Sequence, residues 1–371
     1  MDIIIDIFQN MGHIILYYLL PFIFVLGIMI FFHELGHFLT AKLCGVKVLK
    51  FALGFGPKIA GKEIGDTEYS IRYVPLGGFV KMLGEDEWDE DSEGLPAEEA
   101  KKAFNNQHPL KRIAIVAAGP IFNFVLALFL FCGIFMISGI YFMTPEIGQV
   151  RADSPADRVG LKAGDVVVSV QDQEIESWED LKELVQDKYE PIMLTVRRAD
   201  KLLSVMVTPE EGVVQNEFGE EIRSALIGIV SAKKYERKDL GTWQAIKMGF
   251  KETWKWIKLT CLVVVKMFQG VVSIKTIGGP IAILQLTGEQ AEESFSNLVP
   301  FMAIVSISLG ILNLFPIPIL DGGMIIFLLL ELILGRPISI EKRELAHKVG
   351  LSLLIVLMII VFYNDILRLF Q

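Results

Sequence analysis

Residues 14–32 hold no charged side chain, yet this run leads straight into His33, Glu34 and His37. Three more uncharged runs follow, at 113–143, 294–320 and 349–364. Crossing the hydrocarbon core of a bilayer takes about 20 apolar residues, so the first three runs suffice and the fourth is at the limit. In a chain of 371 residues that is 52% hydrophobic and 21% charged, the pattern predicts membrane spans joined by soluble segments. The expected fold is a polytopic α-helical membrane protein with four transmembrane helices. The first run is too long for a signal-peptide core and has no lysine or arginine before it, so it is read as a span rather than a cleaved leader.

Cys44, Cys132 and Cys261 form no Cys-x-x-Cys pair, which argues against a disulfide framework. Much of the net charge of −9 comes from the stretch 85–99, "EDEWDEDSEGLPAEE", read as a solvated loop. No basic surface suits a nucleic acid; the lipid bilayer is the partner this composition implies.

Residues 1–41 contain neither lysine nor arginine, whereas Lys42, Lys47, Lys50, Lys111 and Arg112 flank the loop 43–112. The positive-inside rule then puts the N-terminus outside and this loop in the cytoplasm. With four spans, 144–293 is extracytoplasmic, and the loop with Arg336, Lys342, Arg343 and Lys348 is cytoplasmic again. The expected divisions are a membrane region at 1–143, an extracytoplasmic domain at 144–232, an amphipathic region at 233–293 and a second membrane region at 294–371.

Within the outer segment, "EIGQV", "DVVVSV", "IMLTVRR" and "LLSVMVT" alternate as strands do, and "SWEDLKELVQ" reads as a helix. Ser177 and Asp180 have the spacing of a capping box for that helix. "SPADRVGLKAGDVVVSV" resembles the carboxylate-binding-loop region of PDZ domains, which bind extended peptides by strand addition. An inserted α+β PDZ domain, in a single copy, is therefore expected. Beyond it, Trp243, Ile246, Phe250, Trp254 and Ile257 share one helical face, with Lys247, Lys251, Lys255 and Lys258 on another. That pattern fits a helix lying in the membrane interface.

Residues four apart on a helix point nearly the same way, so His33 and His37 can offer nitrogens to one metal ion. Glu34 lies about 100° around the helix, off the metal, where a catalytic base belongs. This H-E-x-x-H arrangement is the zinc metalloprotease signature. An ionised group at mid-bilayer costs about 2.5–3.5 kcal/mol on insertion scales. Tetrahedral zinc binding is worth on the order of 10 kcal/mol, enough to offset that burial. A third ligand is required. Glu63, Asp66 and Glu68 fall in the window used by soluble zinc proteases, but the stronger candidate is Asp321 in "NLFPIPILDGGMIIF". The topology brings it to the depth of the two histidines. Glu331, His347 and His108 are weaker rivals.

"HELGH", "FALGFGP", "FNNQHPLKRIAIVAAGPIFNF" and "NLFPIPILDGG" together resemble the site-2 intramembrane zinc metalloproteases, in particular the bacterial regulator-of-sigma-E branch. The likeness covers nearly the whole chain. It implies an intramembrane zinc endopeptidase of the bacterial inner membrane, acting on transmembrane segments of single-span proteins such as trimmed anti-sigma factors. Carried over by motif, His33, His37 and Asp321 match the zinc ligands and Glu34 the catalytic glutamate. Asn313, Pro316 and Pro318 match the N-x-x-P-x-P element that shapes the substrate groove. Asn123 matches the asparagine of the second-span G-P-x-x-N motif and is grouped with them as substrate-binding. The resemblance also implies a membrane-associated β-hairpin, for which strand-like residues 68–83 are the candidate. The chain departs from the best-known members in having one PDZ domain rather than a tandem pair.

Two other classes are weighed against a protease. A metal transporter would show internal repeats, which are absent from the sequence, and would leave Glu34 without a task. A membrane scaffold bearing a PDZ domain would tolerate loss of any of the three ligands.

Overall fold

Proline and glycine decide where the apolar runs break. The computed structural model describes residues 11–85, 96–276 and 278–370, so most of the acidic loop expected at 85–99 lies outside the described residues. Four described helices are long and apolar enough to cross a membrane: Met11–Leu43, Pro109–Ser138, Phe295–Asn313 and Ile340–Arg368. The first comprises a π-helical lead, Ile14–Leu19, and α1, Leu20–Leu43. The second, α2 (Pro109–Ser138), opens on a proline, whose missing N–H and fixed φ suit a first helical turn.

The uncharged run 294–320 holds one span, but only as far as Asn313. Its helix ends at Asn313, and a new helix starts at Asp321. Pro316 and Pro318 lie in the gap, where neither can donate the backbone hydrogen bond a continuous helix needs. Conversely, the short run 349–364 is extended by polar residues into a 30-residue helix.

The chain divides into two compact units, one formed by 1–134 with 246–371 and the other by 135–245. In the first unit, strands β1 (Val48–Ile64) and β2 (Thr67–Met82) form an antiparallel hairpin. Gly65 supplies the positive φ (61°) that its two-residue loop requires. The base of the hairpin is core: Val48, Phe51, Val80 and Met82 pack with Ala41, Ile115, Val116 and Leu328. From Phe55 to Ile64 the strand is exposed, and it presents Ile59 and Ile64 to its surroundings.

The second unit is built on the four-stranded antiparallel sheet β6–β5–β7–β8, made of Gln173–Glu174, Val166–Val170, Ile192–Arg198 and Lys201–Val207. Period-two burial is complete in β7, where Ile192, Leu194 and Val196 are fully buried. Helix α3 (Trp178–Val185) packs Leu181 and Val185 into the same core, and Ser177 and Asp180 form its capping box. Asp165 is clasped by Arg198 through bonds of 2.6 and 2.7 Å and accepts from the Lys162 amide at 2.8 Å. Burial pushes the Asp165 carboxyl up, but these bonds outweigh it and hold the group below the usual carboxylate range.

Helix α4 (Thr242–Phe268), which belongs to the first unit from Ile246 onwards, buries Thr253 and packs Gly249 against Cys132. Trp243, Phe250 and Trp254 stay exposed, so this aromatic face is not core. Then follow α5 (Pro280–Glu293), α6 (Leu298–Asn313), α7 (Asp321–Leu334) and α8 (Ile340–Leu369). Asp365 of α8 accepts from the amides of Gly279, Ile281 and Ala282, satisfying the otherwise free donors at the start of α5.

Candidate metal centre and active site

Three side chains from two distant parts of the chain converge. His33 and His37 lie one turn apart on α1, with their Nε2 atoms 3.2 Å from each other. Asp321, the first residue of α7, brings Oδ2 to 3.3 Å from His33 Nε2 and Oδ1 to 3.7 Å from His37 Nε2. Ligands held tetrahedrally at about 2.0–2.1 Å from zinc are separated by about 3.3 Å. Two imidazole nitrogens and a carboxylate group at these separations therefore fit one ion. Among the described residues this is the one His/Cys/Asp/Glu cluster with such spacing.

Local structure explains the convergence. Asp321 is aimed by the turn at 314–320, and Gly322 and Gly323 let α7 start hard against that turn. A Cβ on Gly322 would lie 2.2 Å from the Leu314 carbonyl oxygen, and one on Gly323 would lie 2.2 Å from that of Ile317. Opposite, α2 presses on both imidazoles at Gly119, where a Cβ would sit 2.2 Å from His37 Nε2 and 2.8 Å from His33 Cε1. A second close approach, Gly36 against the Ala118 carbonyl, holds α1 and α2 together at the same level. His37 Nδ1–H donates to the Ile115 carbonyl at 2.9 Å. A carbonyl can only accept, so this bond leaves Nε2 of His37 bare and available to a metal.

Glu34, next to His33 on α1, packs against β2. Its Cγ lies 3.0 Å from the position a Cβ on Gly78 would take, and its carboxylate reaches the Val80 backbone. Asn123 is fully buried behind His33, with Nδ2 3.3 Å from His33 Nδ1. Asn313, at the end of α6, brings its Nδ2 to 3.5 Å from the same nitrogen. Pro316 and Pro318 lie in the turn before Asp321, and Pro318 packs against Gly350 of α8.

The rival ligands lie elsewhere. Glu331 is ion-paired with Arg112 and lies 3.9 Å from Arg343. His347 stacks edge-on against Phe327, His108 accepts from the Leu110 amide, and Glu68 pairs with Lys58. Sequence reasoning did not single out Gly36, Gly119 or the Ile115 carbonyl. Gly119 is itself the glycine of the G-P-x-x-N motif, and that motif was the available signal for it.

Residues 21–357 match peptidase family M50. The chain belongs to that family. Its relatives include a Clostridium acetobutylicum protein named "putative zinc metalloprotease", 37% identical over 93% of this chain and 96% of its own length. A Mesorhizobium japonicum protein of the same name is 36% identical over 94% of this chain and 98% of its own. The zinc metalloprotease RasP of Oceanobacillus iheyensis is 30% identical over 94% of this chain and 98% of its own. As an M50 peptidase with four helices fit to cross a bilayer, the protein is a multi-pass membrane enzyme.

Proposed function

We propose that this M50 peptidase is a zinc-dependent endopeptidase that cuts peptide bonds inside transmembrane segments of single-span membrane proteins. The observation that carries the reading is the meeting of His33, His37 and Asp321 among apolar helices, with Glu34 beside them. His33, His37 and Asp321 would hold the zinc for which its relatives are named. Bound there, zinc supplies Lewis acidity for amide hydrolysis. Glu34 takes a proton from the attacking water and delivers it to the amide nitrogen that leaves.

A transmembrane helix hides its carbonyls in its own hydrogen bonds, so a substrate must unwind before attack. Glu34 abuts β2 at Gly78, so a segment added as a strand at the hairpin edge would lie beside the base. Asn313, Pro316 and Pro318 shape the other side of that path. The reading puts the enzyme in a bacterial inner membrane, with the N-terminus and residues 144–232 outside and the ligands towards the cytoplasm. Trimmed anti-sigma factors and remnant signal peptides are the substrate classes that suit it. The aromatic face of α4 lies in the membrane interface.

The PDZ domain read at 144–232 lies within unit 135–245. Its groove runs between Trp178, Leu181 and Val185 of α3 and residues Ile227, Gly228 and Ile229. Strand β11 (Ile229–Ser231) pairs on one side with β4 (Ile147–Val150), and its other edge suits an added peptide strand. The loop 154–165, singled out in the sequence, does not line this groove. It is instead tied into the domain by Leu161 in the core and by the Asp165–Arg198 pair.

Purified full-length protein with a single-span substrate, assayed with and without a zinc chelator, tests the proposal. Cleavage lost on chelation and restored by zinc supports it. Metal flux without cleavage would favour a transporter, and neither activity would favour a scaffold.

A further inference from the structure

The two histidines are not equally prepared for a metal. The Ile115 carbonyl presets His37, but His33 Nδ1 faces two carboxamides, each presenting its nitrogen. When Nε2 of a neutral imidazole binds a metal, the ring proton sits on Nδ1 and needs an acceptor. Amide nitrogens cannot accept. This arrangement therefore serves the metal-free tautomer, in which Nδ1 accepts from Asn123.

Asn123 has the means to serve the other tautomer as well. Its Oδ1 is buried and has no hydrogen-bond partner. Rotating the carboxamide by 180° exchanges Oδ1 and Nδ2, and the hydrogen-bond network decides between the two settings. Oδ1 then stands about 3.3 Å from His33 Nδ1, at the long edge of hydrogen-bond distance. The backbone at this position is anchored, because Ser306 Oγ donates to the Asn123 carbonyl at 2.9 Å. Asn123 is fully buried, so no substrate reaches it without displacing α2. Asn313 is farther from Nδ1 and half-buried at a helix end, which suits it better to the substrate path.

We infer that Asn123 is a positioning residue for the metal centre, its carboxamide oxygen accepting from His33 Nδ1–H and so holding Nε2 bare towards the ion. This replaces the substrate contact expected from its motif. The inference rests on the zinc reading of His33, His37 and Asp321.

The test is zinc affinity, measured by competition with a chelating dye on the full-length protein in detergent. Asn123→Leu keeps the shape but removes the acceptor, and zinc affinity should fall about 10–100-fold, the usual loss for a missing outer-shell partner. Asn123→Asp always accepts and completes a carboxylate–histidine–metal triad, so it should bind zinc at least as tightly as the parent chain. Thermal unfolding confirms that each variant is folded. Unchanged zinc affinity in Asn123→Leu with a raised KM would overturn the inference and restore a substrate role. Equal loss of zinc in both variants would also overturn it, as damage to packing rather than loss of an acceptor. His33→Ala runs alongside. If it too keeps its zinc, the metal reading itself has failed, whereas zinc lost there but kept in Asn123→Leu sinks only the role of Asn123.

Discussion

A single methyl group added at Gly119 should disable the proposed metal centre. Gly119 lies within α2, where replacing glycine by alanine ordinarily stabilises a helix by about 0.8–1 kcal/mol. Here the new Cβ would be 2.2 Å from His37 Nε2 and 2.5 Å from its Cε1. Ordinary non-bonded contacts lie at about 3.5–4.0 Å, so the imidazole must retreat by more than about 1 Å or α2 must move. Overpacking of this kind costs about 1–3 kcal/mol, which exceeds the helix gain. Metal ligands work only when held within about 0.5 Å of their productive positions. Gly119→Ala should therefore keep its helix content but lose zinc affinity by at least about 10-fold, with cleavage falling in step. Metal analysis and single-span substrate cleavage on the same purified sample measure both. A stabilised variant with full zinc and full rate would refute the reasoning, because it would mean that α2 does not press on the histidines.

Asp321→Ala should lose zinc and activity together. Glu331→Ala should keep its zinc at saturation but lose about 3–5 kcal/mol of stability, because it strands the buried Arg112; the reverse pattern would make Glu331 the ligand. A cysteine placed at Lys62 should be shielded from an impermeant thiol reagent in intact cells, and one at Gln186 should react. Opposite labelling would invert the orientation read from the lysines. Deleting residues 144–232 should allow cleavage of substrates that keep their external domains, with trimmed substrates cut at similar rates. Slower cutting of trimmed substrates alone would make the domain a capture device instead of a gate.

What was legible in the sequence follows from what is local. His33 and His37 could be paired because helical geometry alone sets two side chains four residues apart on one face. Asp321 stood out as an acid closing a long uncharged run, although nothing local brings it to α1. Gly119 was visible only as the glycine of the G-P-x-x-N motif, since its importance lies in a contact with a helix more than 80 residues earlier. Hydropathy read 294–320 as one span because it counts apolar side chains and not the backbone donors that Pro316 and Pro318 lack. The hairpin was half visible. Residues 68–83 looked like a strand, but Gly54 and Gly56, at φ of 90° and 84°, interrupt the alternation of its partner. The second unit was the easiest to see, because period-two burial in β7 is written directly into "IMLTVRR".

Glu34→Gln most directly tests the claim that a base and three ligands divide the work at this centre. The variant keeps the shape of the side chain but cannot accept a proton. Zinc per chain and cleavage of a single-span substrate should be read on one purified preparation. The account predicts about one zinc per chain, as in the parent protein, with cleavage abolished. Zinc lost together with activity would make Glu34 a ligand, and cleavage retained with full zinc would remove it from the chemistry altogether.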